Sequence, residues 1–306
     1  MKIAVLYGGA SSEHKISVQT GMAIAEGLSG KFEINLVHLN GHISTILNDL
    51  LDADLVFNAL HGGDGENGTI QAYLDLHNII YTGSGAKASK IAMDKNLAKL
   101  IAHSLGMATP RWLLMRKSDE FDIRVYDDDF SKFGFPIVVK PSEEGSTYGL
   151  SIVKKIDDLG SAVNSAFNFS DEIIIEEYIP GRELTVGVLG DNALPVVDIR
   201  PSHSYYDFDC KYVEGMCEYV VPADLPDSVE KNISMDAMKI HGALGCRHYS
   251  RIDFRINDNN EYYFLEINTL PGMTSTSLLP KAAKAAGLSF FDLIQTIVNL
   301  AKLGEK

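Results

Sequence analysis

Tyr249-Ser-Arg-Ile-Asp-Phe-Arg-Ile256, followed after a short polar stretch by Tyr262-Tyr-Phe-Leu-Glu-Ile267 and Asn268, decides how the C-terminal part of the chain folds. Polar and apolar residues alternate in Arg251-Ile-Asp253-Phe and in Leu265-Glu266-Ile-Asn268. That is the period of a β-strand with one buried face, so each strand turns its polar groups to one side. The two runs read as a hairpin. With Asn257–Asn260 as its turn, Arg251 stands opposite Glu266, and Asp253 lies diagonally from Glu266 on the same face. Cβ atoms at that diagonal are roughly 7–8 Å apart or less. Asp253, Glu266 and Asn268 then form an oxygen-only donor set, which suits Mg²⁺ shared with a substrate's phosphates better than zinc. The competing reading is a solvated face carrying an Arg251–Glu266 pair. The buried-looking turn Thr269-Leu-Pro-Gly-Met273 speaks against it.

Working outward from the hairpin, Asp227–Leu244 and Phe290–Ala301 read as helices, and Leu184–Leu189 and Leu194–Arg200 as strands. The polar segment Pro201–Asp224 lacks a helical period. Loops that long are usually functional or disordered, and Tyr205, Tyr206 and Tyr212 favour function. Further back, strands are expected at Trp112–Met115, Pro136–Lys140, Ser151–Val153 and Glu172–Glu176, with helices at Asp94–Leu105 and Ile156–Phe167. The first ~90 residues alternate strand and helix: Lys2–Tyr7, Ser17–Leu28, Phe32–Leu39, Leu55–Leu60, Thr69–Leu76. This order implies a parallel, doubly wound sheet with ligands at the carboxyl ends of its strands.

Composition sets outer bounds. A chain of 306 residues suggests two or three packed modules. A net charge of −14 argues against a nucleic-acid binder but not against a phosphate site, where a few local cations dominate. Cys210, Cys217 and Cys246 form no CxxC pair, so a reducing compartment fits. The apolar run Ile3–Tyr7 reads as a strand rather than a signal peptide, and no window approaches the ~18 apolar residues of a membrane span.

Cations fall at element ends. Lys140 closes the strand Phe-Pro-Ile-Val-Val and precedes the small-residue loop Glu144-Gly-Ser-Thr-Tyr-Gly149, whose backbone N–H groups can approach an anion. Lys95 follows Asp94, a candidate N-cap, at the positive end of a helix. No Walker A motif is present. Gly63-Asp-Gly65-Glu-Asn-Gly68 matches GxGxxG, but Asp64 and Glu66 would repel a pyrophosphate, and the match does not follow the first strand. Glu13 and His61 fall at the carboxyl edge of the first sheet. Alone, a His there is more often a structural hydrogen-bonder.

The motifs together resemble the D-alanine–D-alanine ligases of the ATP-grasp superfamily, essentially end to end. They are Tyr7-Gly-Gly-Ala-Ser-Ser-Glu13-His, Leu60-His-Gly62 with Gly65-Glu-Asn-Gly68, and Tyr81-Thr-Gly-Ser-Gly85 with Met93-Asp-Lys95. Then come Val139-Lys-Pro-Ser142 with Gly145-Ser146, Glu176-Glu-Tyr-Ile-Pro-Gly-Arg-Glu183, and Tyr206-Asp with Lys211-Tyr212. The last is Arg251-Ile-Asp253 with Glu266-Ile-Asn268-Thr-Leu-Pro-Gly272-Met-Thr-Ser-Thr-Ser277-Leu278.

The resemblance implies an N-terminal parallel α/β domain (1–93) followed by a two-part ATP-grasp fold (94–181 and 182–306). It implies ATP bound by Lys95, Lys140, Glu176, Glu177, Ile179, Glu183 and Lys211. Two Mg²⁺ ions, for which Mn²⁺ can substitute, would be held by Asp253, Glu266 and Asn268. Glu13, Ser146, Tyr212, Arg251 and Gly272 would be catalytic, and Glu13, His61, Ser277 and Leu278 would hold two D-alanine molecules. A cytoplasmic homodimer serving peptidoglycan synthesis is expected, with no nucleic-acid or membrane partner. Asp253→Ala or Glu266→Ala is expected to abolish turnover with the fold intact. The chain departs from the family pattern at Lys15, Asn67 and Tyr148. Tyr148 leaves D-lactate or D-serine open as alternative acceptors, although Lys211-Tyr212 follows the dipeptide-forming pattern. The other alternative is a non-catalytic nucleotide-binding relative.

Overall fold

A computed structural model describes residues 1–119, 133–201 and 217–303, and the described strands form three sheets. In the first, β1 (Lys2–Gly8), β2 (Glu33–Leu39) and β3 (Leu55–Asn58) run parallel in the order β2-β1-β3. Ile3, Ala4, Val5 and Leu6 are fully buried, as a central parallel strand covered on both faces requires. Helix α1 (His14–Leu28) connects β1 to β2, α2 (Leu47–Leu51) precedes β3, and α3 (Thr69–Leu76) follows it. With β1 central, the loops leaving β1 and β3 open onto one crevice.

Helices α4 (Ala86–Met93) and α5 (Lys95–Ser104) are separated by Asp94 alone. Asp94 is extended, and its carboxylate accepts from the Leu97 N–H at 3.1 Å, so it caps α5 as its residue type predicts. The second sheet is antiparallel, built from β4 (Trp112–Arg116), β5 (Ile137–Pro141), β6 (Ser151–Val153) and, after α6 (Leu159–Ala166), β7 (Glu172–Glu177) in the order β4-β7-β5-β6. The expected helix over Ile156–Phe167 is a 3₁₀ turn, Ile156–Asp158, followed by α6.

The third sheet contains β8 (Arg182–Leu189), β9 (Asn192–Ala193), β10 (Val197–Pro201), β11 (Cys217–Val220) and, after α7 (Asp227–Leu244), β12 (Tyr249–Ile256) and β13 (Tyr262–Asn268). Its order is β11-β10-β8-β12-β13, with β9 on β8. α8 (Leu278–Ala285) and α9 (Phe290–Leu303) complete the described chain. One core cluster joins Ile3, Val5, Ile24 and Phe57 to Leu279, Ile294 and Ile297, so the last helices close the first sheet. Of the expected functional loop, Cys217–Val220 is an edge strand on β10, whereas Tyr205, Tyr206, Cys210, Lys211 and Tyr212 lie outside the described residues.

The hairpin register corrects the expectation. The connection runs Asn257–Glu261, closed by the Asn257 N–H on the Glu261 carbonyl and the Glu261 N–H on Asn257 Oδ1, both 3.0 Å. A register shift falls between Asp253 and Phe254, which leaves Leu265 without a partner on β12. Arg251 therefore pairs with Asn268 rather than Glu266, and Asp253 stands directly opposite Glu266 rather than on a diagonal. An Asn- and Asp-rich turn does not fix its own length, and nothing in the alternation announces a bulge.

Candidate active site

The crevice of the first sheet meets the second and third sheets along one line. At one end is Glu13, at the N-terminus of α1 and only 9% exposed. Its Oε1 accepts a short hydrogen bond from the Ser146 hydroxyl, which joins the first sheet to the loop after β5. Two glycines make room for this carboxylate: a Cβ at Gly62 would lie 2.8 Å from Glu13 Oε2, and one at Gly145 would lie 3.3 Å from it. Ser146 and Thr147 have positive φ (48° and 65°), a conformation unfavourable to side-chain-bearing residues and held here by the surrounding loop. Glu13, His61, Ser146, Arg251, Glu266, Asn268, Gly272, Ser277 and Leu278 line one cleft of about 90 Å³. Every described substrate or catalytic residue expected from the sequence is in that group.

A second cavity, also about 90 Å³, opens between the second and third sheets. Its apolar walls are Val138, Ile152, Ile179 and the bulged Leu265, and its polar groups include Lys140, Glu176, Glu177 and Glu183. A mainly apolar cavity with a few polar groups suits an organic ring better than a hydrated ion. Glu176 is 3% exposed. Its Oε1 is 2.5 Å from Lys140 Nζ and its Oε2 is 2.8 Å from Lys99 Nζ. Burial alone would raise the pKa of Glu176, but the two ammonium groups reverse this and hold it below the usual carboxylate range. Burial would likewise lower Lys140, yet Glu176, Glu266 and Glu183 together raise it.

Between the cavities, Lys95 Nζ reaches the Glu144 carbonyl (2.5 Å) and Glu266 Oε2 (3.3 Å). Asp253, Glu266 and Asn268 project from one face of the β12–β13 pair, since directly opposed residues share a face. Asp253 is buried. Its two oxygens accept from Arg251 Nε (2.9 Å) and Nη2 (2.7 Å), and Thr185 Oγ1 donates to Oδ1 at 2.5 Å. Asn268 Oδ1 accepts from the Leu270 N–H at 2.8 Å, which fixes its orientation. Two carboxylates and a fixed amide oxygen beside lysines are hard oxygen donors next to a polyanion site, so the residues fit Mg²⁺.

Residues 40–84 match the family described as D-ala D-ala ligase N-terminus, and residues 101–299 match D-ala D-ala ligase C-terminus. A D-alanine–D-alanine ligase of Halalkalibacterium halodurans is 43% identical over 98% of this chain and 99% of its own length. The chain belongs to the D-alanine–D-alanine ligase family. The ATP-complexed Bacillus anthracis D-alanine–D-alanine ligase superposes with a TM-score of 0.88 at 34% identity, covering 99% of this chain and 98% of that one. A D-Ala:D-Ser ligase of Enterococcus faecalis superposes with a TM-score of 0.83 at 29% identity, covering 98% and 99%. The fold is accordingly ATP-grasp behind a parallel α/β unit.

Against the family pattern, Asn67 accepts from the Thr69 N–H (3.0 Å) and braces its own loop, while Lys15 is exposed. Tyr148 stacks on Phe169, with centroids 6.0 Å apart, and is not among the residues lining the substrate cleft. A larger cavity of about 330 Å³ lies across the same loops, around Gly9, Leu39, His42 and Asp64. Of the expected site residues it shares only His61, so size does not mark this ligase's chemistry.

Sequence reasoning missed Glu66, Thr185 and Lys99. Glu66 lines the cleft, with Oε1 3.5 Å from His61 Nδ1, while His61 Nε2 is 3.0 Å from Thr20 Oγ1. Burial pushes the Glu66 carboxyl up, against the opposing pull of His61. An acid in the loop directly after His61 was the available signal. For Lys99 the signal was its spacing, four residues after Lys95 on one helix face.

Proposed function

We infer that the chain catalyses ATP-dependent joining of two D-alanine molecules to D-alanyl-D-alanine, with release of ADP and phosphate, in the supply of peptidoglycan precursors. The observation that carries this reading is continuity. Lys140 lines the apolar slot, Lys95 Nζ lies 3.3 Å from Glu266, and Glu266 and Asn268 line both the Lys95 cavity and the Glu13 cleft. We read the chain as units 1–93, 94–181 and 182–306, each contributing one sheet.

ATP's adenine occupies the slot, with Glu176 and the backbones of Glu177 and Ile179 along its edge and Glu183 on the ribose. Lys95, Lys140 and Lys211 offset the phosphates. Glu13 holds the ammonium of the first D-alanine, and His61 orients it. Its carboxylate oxygen attacks the γ-phosphorus, the bond to ADP breaks, and D-alanyl phosphate forms. Ser277 and Leu278 seat the second D-alanine, whose deprotonated amine attacks the acyl carbon. Arg251 and the Gly272 N–H stabilise the oxyanion, and phosphate leaves as the amide forms. Mg²⁺, when held by Asp253, Glu266 and Asn268, supplies positive charge that offsets the repulsion between carboxylate and polyphosphate. Ser146, through its hydrogen bond to Glu13, ties the loop over the cleft, excluding the water that would hydrolyse an acyl phosphate, and Tyr212 is proposed to assist catalysis.

D-alanine is favoured over D-lactate or D-serine as acceptor because Lys211-Tyr212 follows the dipeptide-forming pattern, while Tyr148 stacks on Phe169. A binding-only role is disfavoured because Arg251, Asp253, Glu266 and Asn268 are all present. We propose a homodimer in the bacterial cytoplasm; no helix among the described residues is long and apolar enough to cross a membrane. The test is ATP-dependent phosphate release across D- and L-amino acids and D-lactate, with product identification. Phosphate and D-alanyl-D-alanine in equal amounts with D-alanine alone are expected. Efficient use of D-lactate at neutral pH overturns the acceptor, and silence with D-alanine overturns the function.

A further inference from the structure

Lys99 is fully buried, as no other lysine or arginine among the described residues is. It extends from the inner face of α5, where Lys95, Ala98, Lys99 and Ala102 repeat at helical spacing. Its ammonium donates to Glu176 Oε2 at 2.8 Å and lies 5.1 Å from the Trp112 ring centroid. The Trp112 indole N–H is fixed in turn on Asn96 Oδ1 at 2.9 Å. Lys99 does not line the nucleotide slot; it reaches Glu176 from behind, while Lys140 reaches the other oxygen from within the slot.

This arrangement has a charge consequence. One carboxylate between two ammonium groups leaves the trio at net +1. Without Lys99, Glu176 and Lys140 would neutralise each other, and Lys140 would have to abandon a buried, otherwise uncompensated carboxylate to reach a phosphate. We propose that Lys99 is a positioning residue for nucleotide binding: it anchors and neutralises Glu176 from behind, so that Lys140 can exchange that carboxylate for ATP's phosphates. This rests on the nucleotide reading of Glu176 and Lys140 given above.

Titration supplies an independent handle. Burial pulls Lys99 down to about 8, against the attraction of Glu176 and with a further push from Lys140, the charged groups that act on it. Lys140 is instead raised, so Lys99 loses its proton first. ATP affinity therefore falls as pH rises through about 8, because a neutral Lys99 leaves Glu176 to capture Lys140.

The experiment is equilibrium binding of ATP and of adenosine, with Mg²⁺ present, to the full chain and to Lys99→Met and Lys99→Arg, from pH 7 to 9.5. Circular dichroism checks folding. Lys99→Met should weaken ATP about tenfold or more, as expected for one lost charge-assisted hydrogen bond, and adenosine much less. The native chain should show the alkaline loss of ATP affinity, and a folded Lys99→Arg should lack it. Equal losses for ATP and adenosine, or a native affinity flat to pH 9.5, would overturn the proposal. Glu176→Gln and Lys140→Met are measured alongside. If they lose ATP binding while Lys99→Met does not, only this proposal fails; if they keep it, the nucleotide reading fails as well.

Discussion

Asp253 faces Glu266 directly across β12 and β13, yet the two carboxylates have different attachments. Asp253 is gripped at both oxygens by Arg251 and bonded by Thr185, whereas Glu266 leans toward Lys95. Asp253→Ala and Glu266→Gln are therefore expected to differ in stability. Asp253→Ala removes the carboxylate that accepts two hydrogen bonds from the largely buried Arg251 guanidinium, at a cost of about 1.5–3 kcal/mol. Glu266→Gln removes one charge from the donor face with little structural loss. Both should lower turnover by at least about a hundredfold, as loss of an electrostatic group at a reacting centre does. Urea unfolding should show a lower midpoint for Asp253→Ala and a near-native one for Glu266→Gln. Native turnover in Glu266→Gln would refute the metal-site assignment.

Glu13 is enclosed by two residues that lack a side chain. Gly62 has φ +66° and ψ 169°, a region nearly exclusive to glycine, so alanine there adds about 1–3 kcal/mol of backbone strain to a 2.8 Å clash with the carboxylate. At Gly145 the approach is 3.3 Å and no positive φ is involved, so the loop needs only a small shift. Gly62→Ala should raise the KM of the first D-alanine by about tenfold, one factor per 1.4 kcal/mol. Gly145→Ala should raise it less, and ATP affinity should stay native in both. Steady-state kinetics at saturating ATP measures this. Equal effects of the two substitutions would mean that Glu13 is not held by this packing.

Much of this was legible in the residues and some was not. Parallel strands hidden on both faces write themselves as apolar runs, and Ile3–Leu6 and Val56-Phe57 show it. The Asp94 cap and α7, from Asp227 to Leu244, were likewise carried by local chemistry. The β12–β13 register was not, because it depends on one unpaired residue, Leu265, whose effect appears only when both strands are laid together. The partners of side chains that act from behind the site were also hidden. Thr185 and Lys99 lie on segments that read as core, and their partners, Asp253 and Glu176, are 68 and 77 residues away. No local pattern connects residues so far apart.

The Ser146–Glu13 hydrogen bond crosses from the second sheet's loop to the first sheet's helix. Ser146→Ala cuts that tie without touching the nucleotide slot. The loop should then close less completely, and water should reach the acyl phosphate. The expected signature is uncoupling: phosphate released in excess of dipeptide formed, with dipeptide formation lowered by about ten- to a hundredfold, as for one charge-assisted hydrogen bond. Measuring both products in one reaction decides it. A fall in rate with the two still in equal amounts would mean that Ser146 aids chemistry but does not seal the cleft.

Stability should fall on the acid side for a reason remote from the site. His241, on α7, is buried with Nδ1 2.6 Å from Ser250 Oγ, and burial pulls it down to about 4, against a weak opposing pull from Asp191. His248 is pulled down to about 4 as well, by burial first and then by Arg247 and His241; its Nδ1 accepts from the Gly83 N–H at 3.0 Å. A histidine lowered in the folded state takes up its proton more readily when unfolded. Its contribution is therefore complete above the unfolded value of 6.5 and is lost as pH falls toward 4. Each such group costs up to about 1.4 kcal/mol per pH unit across that window. Urea midpoints should drop between pH 7 and pH 5, and His241→Gln, less stable at pH 7, should show a shallower pH dependence. A native slope in His241→Gln would mean that this imidazole titrates alike in the folded and unfolded chain.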